Sequence, residues 1–125
     1  VSPAMPILIV DDYNTMIRIL RNLLRQLGFS NIDEASDGRT ALTKLRTKEY
    51  ALVISDSSMA PMSGLELLQR LRADERTAAT PFVMVANDAE ADANAATRAG
   101  ASSYIVKPFN AQTLKTKLVG VFGAF

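Results

Sequence analysis

Short apolar runs recur along this chain with room for one helix between each pair, and that alternation limits the fold more than any other feature. The clearest are Ile7-Leu8-Ile9-Val10, Ala51-Leu52-Val53-Ile54-Ser55 and Phe82-Val83-Met84-Val85-Ala86; weaker ones lie around Asn31 to Ala35 and Ser103 to Val106. Each is too short for a helix and suits a buried strand. Between them the period lengthens. From about Asn14, Met16, Ile17, Ile19, Leu20, Leu23, Leu24 and Leu27 mark one helical face, with Arg18, Arg21 and Arg25 opposite as a solvated face, until Gly28 ends the helix. Asp37-Gly38 turns into a helix through Ala41, Leu42 and Leu45, with Asp37 as turn and cap. Ser63, three residues before Glu66, is a capping-box pattern ahead of Leu65, Leu67, Leu68 and Leu71. An alanine-rich helix runs from about Ala89 to Ala99 and stops at Gly100. The last runs from about Asn110, with Leu114, Leu118, Val121 and Phe122 on its inner face.

Strands and helices in strict alternation predict an α/β fold with a parallel sheet covered on both faces. The 125 residues suit one doubly wound domain over 1–125 that buries its own core. Val1 to Met5 reads as a flexible start, with Met5 a natural initiator behind a remnant. Fourteen basic and 13 acidic residues leave a net charge of +1, without the basic excess a nucleic-acid binder needs. Cysteine and histidine are both absent. That excludes disulfides, thiol nucleophiles, the Ser-His-Asp arrangement and most transition-metal sites. No apolar run approaches the ~20 residues of a membrane-spanning helix and no signal peptide is visible, so the expected setting is cytoplasmic, away from membranes.

In open α/β sheets, ligands bind beyond the carboxyl ends of the strands. Asp56 ends the third run, where a carboxylate costs free energy unless something uses it, and the chain then breaks into Ser57 to Gly64. Asp11-Asp12 end the first run, Ala86 the fourth and Lys107 the fifth. Three carboxylates and a lysine therefore converge on one edge. Two unit charges 4 Å apart interact by about 4 kcal/mol at an effective dielectric of 20, enough to force protonation of one carboxylate unless cations offset it. Lys107 offsets part. A divalent cation with few hard oxygen ligands, Mg²⁺ rather than a calcium cage, suits the rest. The plainer alternative is that Asp11 and Asp12 cap the first helix.

The acidic pair Asp11-Asp12, Ala35-x-Asp37-Gly38 with Ala41-Leu42, Asp56, the stretch Met59 to Gly64, Gly100-Ala101 and Lys107-Pro108-Phe109 together resemble the receiver domain of bacterial two-component response regulators, of the single-domain CheY type. The resemblance spans nearly the whole chain. It implies a flavodoxin-like (βα)5 fold with strand order 2-1-3-4-5. Asp56 would accept a phosphoryl group from a phosphohistidine on a sensor kinase or phosphotransfer protein. Asp12 and Asp56 would ligate Mg²⁺ directly, Asp11 through water, and the Ser58 backbone carbonyl would add a ligand. Lys107 would pair with Asp56 and later with a phosphoryl oxygen, beside a cis Lys107-Pro108 bond. Output would be protein binding on the helix 4–strand 5–helix 5 face, in chemotaxis or a related pathway, by a monomer that is not an enzyme beyond its own phosphorylation and dephosphorylation.

The chain departs from that pattern at several places. Ala86 replaces the Ser or Thr whose hydroxyl engages the phosphoryl group, and it frees volume beneath the switch aromatic Tyr104. Tyr104 is therefore expected inward even without phosphate. Ala60-Pro61 places proline one residue late, so the loop is expected to take another path. Ser58 and Asp88 stand where phosphoryl lifetime is tuned. The alternative reading is a phosphate sink or phosphorylation-independent binding module. A phosphatase or flavin binder fits less well, because no glycine-rich phosphate loop follows the first run.

Overall fold

In a computed structural model, which describes residues 2–86 and 89–123 (side chains of 89–93 excepted), the five runs pair as one parallel sheet in the order β2-β1-β3-β4-β5. The strands are β1 (Ile7–Val10), β2 (Ile32–Ala35), β3 (Leu52–Asp56), β4 (Phe82–Ala86) and β5 (Ser103–Val106). The helices between and after them are α1 (Asn14–Gln26), α2 (Gly38–Thr47), α3 (Gly64–Ala73), α4 (Ala89–Ala99) and α5 (Ala111–Phe122). Fold class and strand order are those expected.

Strand side chains alternate between two apolar layers, which is why runs buried on both faces read as continuous. Ile7, Ile9, Ile54, Val83, Val85 and Ile105 pack with Ile17, Leu20 and Leu24 of α1 and Leu114 and Leu118 of α5. Leu8, Val10, Val53 and Met84 face Ala41 and Leu45 of α2, Leu67, Leu68 and Leu71 of α3, and Ala96 of α4. Each buried Leu, Ile, Val or Met side chain among these is worth roughly 1.5–3 kcal/mol relative to exposure. The sheet is therefore rigid where the strand ends must be held in place.

The helix starts follow local chemistry. Asp37 accepts a hydrogen bond from the Thr40 N–H, and Asn110 accepts one from the Thr113 N–H. Ser63 accepts from the Glu66 N–H, and its hydroxyl donates to the Glu66 carboxylate at 3.4 Å. Gly28 and Gly100 lie at φ +102° and +98°, the left-handed region where a Cβ is penalised. Arg72 of α3 donates through Nε and Nη2 to the Gly100 carbonyl, tying the end of α4 to α3.

Two expectations for α1 need correction. Ile19 is 41% exposed: it belongs to the helical pattern but falls to the side of the face that meets the sheet. Arg21 is not merely solvated. Its guanidinium pairs with Glu34 and donates to the Ile32 carbonyl, fastening α1 to the edge strand. Arg18 and Arg25 are exposed as expected.

On β2 and in the turn before β3, the Tyr50 hydroxyl and Lys48 Nζ both donate to Asp33. The Tyr50 bond, reinforced by Lys48, holds the Asp33 carboxyl below its ordinary 3.8. Burial, then Asp33, pushes the Tyr50 phenol up. A carboxyl lowered by folding adds stability above its unfolded value and loses it as pH falls through the folded one. The melting-temperature gap between the native chain and Tyr50→Phe is therefore expected to be full near neutrality and to narrow as pH falls below 3.8. A gap constant from pH 7 to 2 would contradict this.

Candidate functional site

Parallel pairing puts every strand's carboxyl end on the same edge, and register then decides which residues meet. Val10 lies opposite Ser55, and Asp56 opposite Val85. The Ser57 N–H donates to the Val85 carbonyl and the Lys107 N–H to the Ala86 carbonyl, both at 2.8 Å. Asp56 is thus the last residue of β3, and Asp11 and Lys107 stand just beyond the ends of β1 and β5. Lys107 Nζ lies 3.0 Å from Asp56 Oδ1, across 51 positions of sequence.

Asp56 is 4% exposed and Asp11 fully buried, whereas Asp12 is exposed. One carboxylate oxygen from each of Asp11, Asp12 and Asp56 lies within 4.8 Å of the other two. Asp11 Oδ1 accepts the Tyr13 N–H at 2.9 Å. Its Oδ2 is buried without a partner, alone in this among the described residues. Burial pushes the Asp11 carboxyl above its ordinary value. The Tyr13 N–H and Lys107 oppose that shift, while Asp56 and Asp12 add to it. An unsatisfied buried acceptor costs about 1–3 kcal/mol, and a hard cation supplies what this oxygen lacks. As for capping, α1 has Tyr13 as its N-cap and no side-chain cap bond; what the acidic pair gives the helix start is the Asp11 Oδ1 bond to the Tyr13 N–H.

Ala86 is fully buried at the end of β4. Tyr104 on β5 is half-buried against the layer containing Met84 and Ala96, and Lys117 Nζ lies 4.8 Å from its ring centroid. Ser58 is exposed in the loop after Asp56. Asp88 lies outside the described residues. Both Ala60-Pro61 and Lys107-Pro108 are cis.

Two contributors escaped sequence reasoning. A Cβ on Gly64 would lie 2.1 Å from the Asp56 carbonyl oxygen, so only glycine lets α3 begin against the backbone of β3. The Ser55 hydroxyl, also buried, donates to that same carbonyl at 3.0 Å. Glycine as the first residue of a helix, directly after a good cap, was the available signal for the first. Nothing local marks the second.

Comparison with known proteins bears on this geometry. The family model for the response regulator receiver domain matches residues 7–119. The chemotaxis protein CheY of Pseudomonas aeruginosa is 48% identical over 119 residues, covering 94% of this chain and 96% of that protein. Among solved structures, the chemotaxis response regulator CheY4 of Vibrio cholerae aligns with a TM-score of 0.87 at 29% identity, covering 95% of this chain and 99% of that one. The receiver domain of the sensor histidine kinase PA1611 from Pseudomonas aeruginosa, solved with a magnesium ion coordinated in its active-site cleft, shares the fold with a TM-score of 0.86 at 24% identity over 97% of this chain and 99% of its own.

Proposed function

Because the chain belongs to the response regulator receiver domain family and is of the chemotaxis CheY type, we propose that Asp56 accepts a phosphoryl group from a phosphohistidine of a sensor kinase or phosphotransfer protein. The observation that carries this is a single nearly buried carboxylate at a central strand end, ion-paired to Lys107 and flanked by an acid with an unpartnered oxygen. Lys107 holds Oδ1 of Asp56, which leaves Oδ2 to attack phosphorus. A bond from that oxygen to phosphorus forms as the phosphorus–nitrogen bond breaks, and the imidazole nitrogen keeps the electron pair. Lys107 then pairs with a phosphoryl oxygen. Phosphoryl transfer asks little more of a protein than positioning and charge neutralisation.

Asp11, Asp12 and Asp56, with the Ser58 backbone carbonyl, would hold Mg²⁺, which when bound neutralises charge on the phosphoryl oxygens. Incubation with acetyl phosphate and Mg²⁺ should add one phosphoryl group to the intact mass; a chain that stays unmodified under those conditions contradicts the reading. Asp11 supplies a second test, independent of transfer. Without metal, Asp11→Asn should melt a few degrees above the native chain, because a buried charge is gone. The native chain should gain about 2.7 kcal/mol when Mg²⁺ is present at ~100 times its dissociation constant, and the variant little. An equal Mg²⁺ response in both would remove Asp11 from the metal set.

The signal would leave as altered protein binding on the α4–β5–α5 face of a cytoplasmic monomer, without turnover of an external substrate. A second reading rests on buried Ala86, which has no hydroxyl to draw the following loop toward phosphate: a phosphate sink or a phosphorylation-independent binding module. A hydrogen bond to a charged group is worth about 1.5–3 kcal/mol, roughly 10- to 100-fold in a two-state equilibrium. Ala86→Thr is thus expected to raise the phosphorylation-dependent change in affinity for a downstream partner at least about tenfold, read by fluorescence anisotropy with and without a phosphoryl mimic. A native chain that already switches fully, with no gain in the variant, rejects the sink and module readings. Tyr104 and its Lys117 neighbour would report the same switch. Ser58 and Asp88 would set the phosphoryl lifetime, which Ser58→Asn should change.

A further inference from the structure

Gly38 opens α2 directly after its cap, and its surroundings leave no room for a side chain. A Cβ there would lie 2.6 Å from Met62 Sδ, 2.9 Å from Met62 Cβ and 3.0 Å from Met62 Cγ. The glycines at positive φ are Gly28, Gly100 and Gly123. Gly38 therefore needs no special backbone conformation; what its position demands is space. Met62, from the loop that follows Asp56, fills that space. The seat itself is firm, because Asp37 caps α2 through the Thr40 N–H at 2.7 Å and Ala41 is fully buried.

The loop over residues 57–64 is closed at its base by backbone bonds. The Ser57 N–H donates to the Val85 carbonyl at 2.8 Å, and the Gly64 N–H to the Ser57 carbonyl at 3.1 Å. Beyond that base the loop is pinned by side chains. Met59 and Met62 are each 8% exposed and join the apolar layer that holds Ala41, Leu67 and Leu68. Ser58, Ala60 and Pro61 are exposed. Two buried methionines thus anchor an otherwise exposed loop, and one of the two sits on the start of α2.

We propose that Met62, seated on Gly38, is the positioning residue that fixes this loop and so aims the Ser58 backbone carbonyl at Mg²⁺. The inference rests on the reading that Asp11, Asp12, Asp56 and the Ser58 carbonyl hold the ion. α2 supplies no ligand in that set; it supplies the surface against which the ligand-bearing loop is pressed. An unbranched, adaptable methionine suits contact with bare backbone. Mg²⁺ demands near-ideal octahedral geometry at about 2.0–2.1 Å, so a carbonyl on a loosened loop is a poor ligand for it. Groups that orient a metal's ligands commonly cost about 10- to 100-fold in affinity when removed.

Mg²⁺ is titrated into the isotopically labelled full chain and followed by amide chemical shifts. The Met59 N–H shares a peptide unit with the Ser58 carbonyl and reports that ligand; the Asp12 N–H reports the acidic pair. Met62→Ala should weaken Mg²⁺ binding about tenfold and abolish the Met59 shift at saturation, while the Asp12 shift persists. Met62→Leu, of similar volume, should restore both affinity and shift. Gly38→Ala crowds Met62 from the other side and should repeat the Met62→Ala pattern, serving in its place if that variant does not fold. Leu45→Ala, in the same layer and on the same helix, should lower Tm yet leave Mg²⁺ affinity and the Met59 shift unchanged. Native affinity and a native Met59 shift in folded Met62→Ala or Gly38→Ala overturn the proposal and leave the phosphoacceptor reading standing. An equal loss in Leu45→Ala overturns it too, since packing anywhere in the layer would then suffice. A native chain without Mg²⁺-dependent shifts removes the metal set, and this proposal with it.

Discussion

Asp56→Asn is expected to reduce phosphoryl incorporation from acetyl phosphate and Mg²⁺ at least about 100-fold, equivalent to roughly 2.7 kcal/mol of barrier. An amide oxygen carries no net charge and is a poor nucleophile. The neighbouring acids do not substitute for it. Asp11 is fully buried with one oxygen engaged by the Tyr13 N–H, and Asp12 is exposed, whereas Lys107 pairs with Asp56. The substitution also leaves Lys107 without its partner, while easing the repulsion between Asp11 and the site. These effects on stability oppose one another, so the variant should fold and the loss should be chemical. Intact-mass measurement beside a circular dichroism melt separates the two. If label persists in a folded Asp56→Asn chain, the phosphoacceptor is another residue.

Gly64→Ala carries the largest structural effect. Its added Cβ would meet the Asp56 carbonyl oxygen at 2.1 Å, Met84 Sδ at 2.9 Å and the Asp56 carbonyl carbon at 3.0 Å. Met84 can yield because its side chain is flexible. The Asp56 backbone cannot, because β3 is locked between β1 and β4. Overpacking usually costs 1–3 kcal/mol; with rigid backbone as the obstacle, about 3 kcal/mol or more is expected, roughly a 10 °C fall in Tm. Relief requires α3 to retreat or Asp56 to shift, so phosphoryl incorporation should fall along with stability. Gly120→Ala is the matched control. Nothing lies within 4 Å of its added Cβ, and removing glycine from a helix interior should stabilise by up to about 1 kcal/mol. Equal melting temperatures for the two variants would refute the close approach at Gly64.

The resemblance and the residue pattern reach far into this fold, but unevenly. Caps at Asp37 and Ser63 are legible because a cap is decided within three residues. Strand ends are legible where an apolar run meets a charge, as at Val10-Asp11 and Ser55-Asp56. Ile19 shows where periodicity stops helping: its place in the pattern is helical, yet the width of the buried stripe is set by the sheet beneath it. Arg21 shows the same limit for charge, since its partner Glu34 lies 13 residues away on another element.

Read alone, the chain determined its elements, their alternation, the doubly wound class and the gathering of Asp11, Asp12, Asp56 and Lys107 on one edge. Those follow from local propensity, hydrophobic period and the rule that parallel strands end together. Only the folded molecule decided that Lys107 reaches Asp56 at 3.0 Å, that one oxygen of Asp11 is buried without a partner, that Gly64 touches the backbone of Asp56, and that Met62 sits on Gly38. Those depend on register and packing between segments distant in sequence, and side-chain contacts of a few ångströms are set by the whole sheet rather than by any stretch of it.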